Sequence, residues 1–129
     1  VVIAPADYPL PAGPLTLAEL AAHPFLLREA GSGTRLSTDR FFRQHSFVPD
    51  RLLELGSNEA IKEAVAVHLG VAILSRHALR AEIDQDGLCI LPVTGFPIRS
   101  HWHVVYPRAR QLSPVAEVFL KSLLAQAHP

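Results

Sequence analysis

The sequence has no methionine, not even at position 1, and only one cysteine and one tryptophan among 129 residues. The lone Cys89 excludes an internal disulfide and removes any need for an oxidising compartment, so the cytoplasm is the expected location. It sits among Leu88, Ile90 and Leu91 without a basic neighbour to hold a thiolate, and its expected role is core filling. No apolar run approaches the ~20 residues of a membrane span, and the start lacks the basic, apolar, small-residue order of a secretion signal. Twelve basic residues balance twelve acidic ones, which excludes a broad positive field for gripping nucleic acid or an anionic membrane. The missing methionine, with an opening VVIAP that reads as the inside of a β-strand, predicts a piece of a longer protein.

What is present suffices for one compact domain: 49% of residues are hydrophobic, and a chain of this size buries roughly two thirds of its unfolded surface. Val1 to Ala4 read as a buried strand that stops at Pro5, followed by the proline-rich connector DYPLPAGP. Thr16 with Glu19 is a capping-box pair for a short helix over 17–22, ended by His23-Pro24. FLLRE (25–29) is a second strand. The loop AGSGT then leads into a helix whose periodic positions begin at Leu36, Arg40 and Phe41. RLLEL (51–55) is a third strand, and Ile61, Ala64, Val65, His68 and Leu69 give the clearest helical spacing, with Gly70 placed as its C-cap glycine. VAIL (71–74) is a fourth strand, Ser75 can cap a short helix RHALRAEI, DQDG turns the chain, and LCILPV is a fifth. In IRSHWHVVYP, Ile98, Trp102, Val104 and Tyr106 share one strand face, with Trp102 buried. Ser113-Pro114 opens a terminal helix with the stripe Val115, Val118, Phe119, Leu123. Strands alternating with helices predict an α/β fold with a mostly parallel sheet and helices on both faces.

In such sheets ligands bind beyond the carboxyl ends of the strands, at the helix N-termini that follow, which selects two loops. In AGSGT, Gly31 and Gly33 permit close backbone approach, Ser32 and Thr34 carry hydroxyls, and a helix N-terminus offers free N–H groups; Arg35 can add a charge-assisted contact. These are the parts of an anion cradle, and equally of a tight turn capped by Thr34. In LGSNEAIK, Ser57 or Asn58 can cap the next helix, and the two loops would open on the same side. The AGSGT loop has neither the spacing of a P-loop nor G-x-S-x-G. His101 and His103 share a strand face without a third ligand, so no metal is expected. No cofactor motif and no nucleophile-base-acid set can be assembled, and an enzyme is not expected.

The blocks VVIAPADYPL, FLLREAGSGTR, LELGSNEAIKEAVAVHLGVAILS and WHVVYPRARQLSPVAEVFLKSL resemble the C-terminal part of a LysR-type transcriptional regulator over essentially the whole chain. REAGSGTR, GSNEAIKEAV and FPIRSHWHVVYPRARQLSPVAEVFL are most similar to the regulators of Calvin-cycle (RuBisCO) operons, the CbbR subgroup. The resemblance implies a periplasmic-binding-protein-like (type II) effector domain of two α/β subdomains. Residues 1–12 would be the last strand of the first subdomain and the crossover, 13–97 the second subdomain, and 98–129 the return strand and terminal helix. It further implies a small anionic effector, such as a phosphorylated metabolite, bound between subdomains by Ser32, Gly33, Thr34, Arg35, Ser57 and Asn58. DNA would be bound only through a winged helix-turn-helix outside this chain, the full-length protein would be a homo-oligomer, and no cofactor or membrane is involved. The alternatives are a free-standing solute-binding protein of the same fold and, third, a two-lobed α/β enzyme.

Overall fold

The computed structural model describes residues 1–79, 83, 87–109 and 111–126. These form two units, Val1–Arg99 and Ser100–Pro129.

The first unit is built on five strands: β1 (Val2–Pro5), β2 (Phe25–Arg28), β3 (Leu52–Leu55), β4 (Val71–Ile73) and β5 (Leu88–Leu91). They lie in the order β3-β2-β4-β1-β5. β3, β2 and β4 are mutually parallel, and β1 runs antiparallel to β4 and β5 on either side of it. The expectation for residues 1–12 was the last strand of a first subdomain and a crossover. The first strand pairs Val2 with Ile73 and Leu91, inside this sheet. Its run of apolar residues demanded burial on both faces, which a central strand supplies.

Helix α1 (Leu17–Leu20) starts at the expected capping box: the Glu19 amide donates to Thr16 Oγ1 at 3.3 Å, and the Thr16 amide donates to Glu19 Oε2 at 2.7 Å. Helix α2 (Gly33–Gln44) buries Thr38, Phe41 and Phe42, whereas Leu36 and Arg40, expected to start the inward stripe, are exposed. Helix α3 (Asn58–Ala66) turns Ile61 and Val65 inward.

Strand alternation sorts the core into two layers. Val2, Ala4, Phe25, Leu27, Val71, Ile73 and Leu91 pack with α1 and α2; Ile3, Leu26, Ala72, Leu74 and Leu88 pack with Ile61 and Val65 of α3. In the first layer, Phe25, Phe42 and Phe47 form a mutual edge-on cluster with ring centroids 5.0–5.6 Å apart. The α/β fold is thus as expected, with helices on both faces of a sheet that is mixed, two of its four ladders being parallel and two antiparallel.

The end of α3 differs from expectation. The left-handed position after the helix is filled by His68 (φ 63°), not by Gly70. The His68 amide donates to the Val65 carbonyl at 2.9 Å and the Leu69 amide to the Ala64 carbonyl at 3.0 Å, which is the Schellman arrangement. His68 Nε2 lies 2.7 Å from Asp7 Oδ1 of the connector, a contact that offsets part of the steric cost of a left-handed side-chain residue. Gly70 serves a different need: a Cβ there would stand 2.2 Å from the Pro24 carbonyl oxygen, which accepts the Val71 amide at the start of β4.

After β4 a single 3-10 turn, Arg76–Ala78, stands where a longer helix was expected; residues 80–82 of that helix, and 84–86 of the turn after it, lie outside the described residues. The expected strand around Trp102 is not formed: residues 98–107 pair with nothing among the described residues, and Trp102 is 97% exposed rather than buried. Alternating apolar residues make a strand only where a ladder partner and a covering face exist. Helix α4 (Pro114–Gln126) begins as expected, the Ala116 amide donating to Ser113 Oγ at 3.3 Å, and its stripe of Val115, Val118 and Phe119 is exposed.

Gly70→Ala should therefore destabilise the chain by about 1–3 kcal/mol, an overpacking cost, measured by urea denaturation. The same substitution at Gly56, where a Cβ meets nothing within 4 Å, provides the reference.

Candidate functional site

The carboxyl ends of β2 and β3 deliver both selected loops to one side of the sheet, because these strands are parallel neighbours. The two helix starts are not equivalent. At α3, Ser57 is the N-cap and its Oγ accepts the Ala60 amide at 3.1 Å. At α2, Ser32 is the N-cap and makes no side-chain cap bond. The amides of Gly33, Thr34 and Arg35 occupy the first turn, where no carbonyl lies one turn back, so α2 presents its donors and partial positive charge uncapped. Thr34 is not the cap; it lies inside the first turn, and its carbonyl accepts the Thr38 hydroxyl at 2.9 Å. Of the two loop glycines, only Gly31 has a positive φ, 95°; Gly33 is helical.

Arg35 is directed inward to the protein. Its Nε donates to Asp39 Oδ1 at 2.9 Å, and its Nη1 to Glu54 Oε2 at 2.9 Å and to the Arg28 carbonyl at 2.8 Å. These carboxylates, Asp39 first, raise its already high pKa. Its observed work is to tie α2 to the ends of β2 and β3.

The cation that spans the two loops is Arg28, which sequence reasoning passed over. Its Nη1 donates to Asn58 Oδ1 at 2.7 Å, linking the end of β2 to the first residue of α3. Its Nε and Nη2 donate to the two oxygens of Glu29 at 2.7 and 2.8 Å. The Arg28 guanidinium holds the Glu29 carboxyl below its usual range, helped by a backbone hydrogen bond. The signal was available: an Arg-Glu pair at the carboxyl end of a strand, directly before a glycine-rich turn. Ser32, Gly33, Thr34, Ser57 and Asn58 thus lie at two loop-to-helix junctions joined through Arg28, while Arg35 braces them from behind. Farther along the same side, beyond β4 and β5, Arg76, Pro92, Thr94 and Phe96 line an open groove. Among the described residues no group of three His, Cys, Asp or Glu side chains could hold a metal ion, and no helix is long and apolar enough to cross a membrane. Cys89 donates from Sγ to the Pro5 carbonyl at 3.2 Å.

The family model for the LysR substrate binding domain matches residues 1–128. The chain belongs to this family. Among curated LysR-domain relatives, it is 43% identical over 126 residues to the RuBisCO operon transcriptional regulator of Acidithiobacillus ferrooxidans, and 41% identical over 126 residues to the HTH-type transcriptional activator CmpR of Synechocystis. In each case the match takes 97% of this chain and 41% of the relative, so the chain spans less than half the length of these proteins. Among solved structures, the Synechocystis PCC6803 CcmR regulatory domain in complex with 2-PG aligns with a TM-score of 0.85 and 42% identity, over 97% of this chain and 61% of that one. The QuiR effector-binding domain in complex with shikimate, at 18% identity, 97% of this chain and 59% of that one, shares the fold with a TM-score of 0.73. The fold is the type II periplasmic-binding-protein-like fold of LysR effector-binding domains.

The contrast between the two caps has a measurable consequence. Ser57→Ala should cost about 1 kcal/mol of stability through loss of its cap bond, whereas Ser32→Ala should change stability by only a few tenths; urea denaturation of both variants decides this. The lowered carboxyl of Glu29 adds stability that is complete above the ordinary carboxylate range and is lost as pH falls through its lowered folded value. Glu29→Gln should therefore flatten the acid limb of a melting-temperature profile.

Proposed function

We propose that this chain is the effector-sensing part of a LysR-type transcriptional regulator of carbon-fixation genes, and that its effector is a small anionic metabolite carrying a phosphate or carboxylate. The observation that carries this reading is the uncapped N-terminus of α2, joined through Arg28 to the N-terminus of α3. A cluster of unspent N–H donors with an arginine suits an oxyanion. The likeness to a regulatory domain in complex with 2-PG, 2-phosphoglycolate, supports the same chemistry.

In this reading Ser32 offers its hydroxyl, Gly33 and Thr34 their amides, and Ser57 and Asn58 the opposite rim, with Arg35 holding the loops in place. This side of the sheet forms one wall of a cleft between two subdomains. Effector binding favours one arrangement of the subdomains, and that preference is transmitted to DNA-binding heads elsewhere in an oligomeric, cytoplasmic protein. The role is sensing, not catalysis.

The test is a heteronuclear NMR titration of the 129-residue chain with 2-phosphoglycolate. Amide shifts should concentrate at Gly31 to Arg35 and at Ser57 and Asn58, and the triple variant Ser32→Ala, Thr34→Ala, Asn58→Ala should lose them. Shifts confined to other surfaces, or unchanged in the triple variant, would overturn the site.

A further inference from the structure

We propose that Glu29 is a built-in stand-in for the effector's anionic group: it occupies the two-pronged side of Arg28 in the empty protein and is displaced when an oxyanion binds. This rests on the proposed function and specifies how that site reads charge.

Four observations carry it. First, Arg28 is the last residue of β2. Within a strand, adjacent side chains point to opposite faces; because the strand stops at Arg28, Glu29 can fold back and meet it with both oxygens, at 2.7 and 2.8 Å. This fork-to-fork pairing is the geometry by which arginine binds a free carboxylate or phosphate. Second, the guanidinium has an anchor independent of Glu29. Nη1 remains on Asn58 Oδ1 at 2.7 Å, so its orientation survives the departure of the carboxylate and the Nε–Nη2 side stays presented. Third, the partners differ in exposure: the Arg28 side chain is 20% exposed and that of Glu29 39%. The carboxylate is the half free to swing into water, and a partly exposed ion pair is cheap to exchange. Fourth, the incoming group would find the uncapped first turn of α2 within the same loop, donors that the Glu29 carboxylate does not use.

The exchange keeps an oxyanion on the Arg28 fork, one replacing another. It also selects a chemical class: the ligand must offer two oxygens of one oxyanion, side by side, to Nε and Nη2. A neutral alcohol or sugar cannot replace the carboxylate.

The experiment is a titration of the wild-type chain, Glu29→Gln, Arg28→Gln and Arg28→Lys with 2-phosphoglycolate and with inorganic phosphate, followed by amide shifts and by the Arg28 Nε–H resonance. Glu29→Gln should bind both anions about three- to tenfold more tightly, because a neutral amide competes poorly for the fork. Arg28→Gln should weaken binding about tenfold or more, and Arg28→Lys should not restore it, since an ammonium cannot present two parallel donors. Glu59→Gln, which removes a carboxylate from the first turn of α3, controls for general electrostatics and should change affinity by less than about twofold. Opposite signs for the Glu29 and Arg28 variants, with the Nε–H signal moving on phosphate addition, support the displacement. Loop shifts in the wild type with unchanged or weaker binding by a folded Glu29→Gln overturn the displacement while leaving the site standing. Loop shifts in neither protein overturn both.

Discussion

The structure depends on one strand being laid between two others against their direction. β1 enters antiparallel between β4 and β5, and Val2, Ile3 and Ala4 are wholly buried. Their alternation supplies both core layers at once, Val2 and Ala4 to the α1–α2 side and Ile3 to the α3 side. Without β1, β4 would lose a partner and β5 would have none within the sheet. The parallel trio β3-β2-β4 is what places the two loops side by side.

From this frame the chemistry of the sheet's carboxyl side follows. Parallel neighbours present their following helices from the same side, so two helix N-termini converge without any special sequence requirement beyond short loops. The sequence then treats the two starts differently. Ser57 closes α3, whereas Ser32 leaves α2 open. A folding requirement alone would cap both, and the exception falls at the place where Arg28 bridges the loops.

Much of this was legible in the sequence. Every strand, the capping box at Thr16, the helix through Ile61 and Val65, and the start of the terminal helix follow from periodicity and caps, because these signals are local. What was not legible depends on partners. VVIAP announces burial on both faces but carries no mark of which strands flank it. The Schellman position at His68 was hidden because Gly70 is the more familiar candidate; the close Pro24 carbonyl that requires a glycine there is distant in sequence. Trp102 reads as buried in an alternating run, yet alternation states only that a face is apolar, not that anything covers it. The bond from Arg28 to Asn58 carries no local mark, because it joins residues thirty positions apart.

The position of β1 also bears on how the protein is made. Val2 is synthesised well before its partners Ile73 and Leu91. Until those residues leave the ribosome, the most thoroughly buried strand of the finished sheet has neither neighbour, and its apolar residues face water or whatever binds nascent chains. The sheet is therefore completed from its middle by a segment synthesised before both of its neighbours. Such long-range pairing slows folding and makes the first strand the point at which an interrupted chain is most prone to associate wrongly.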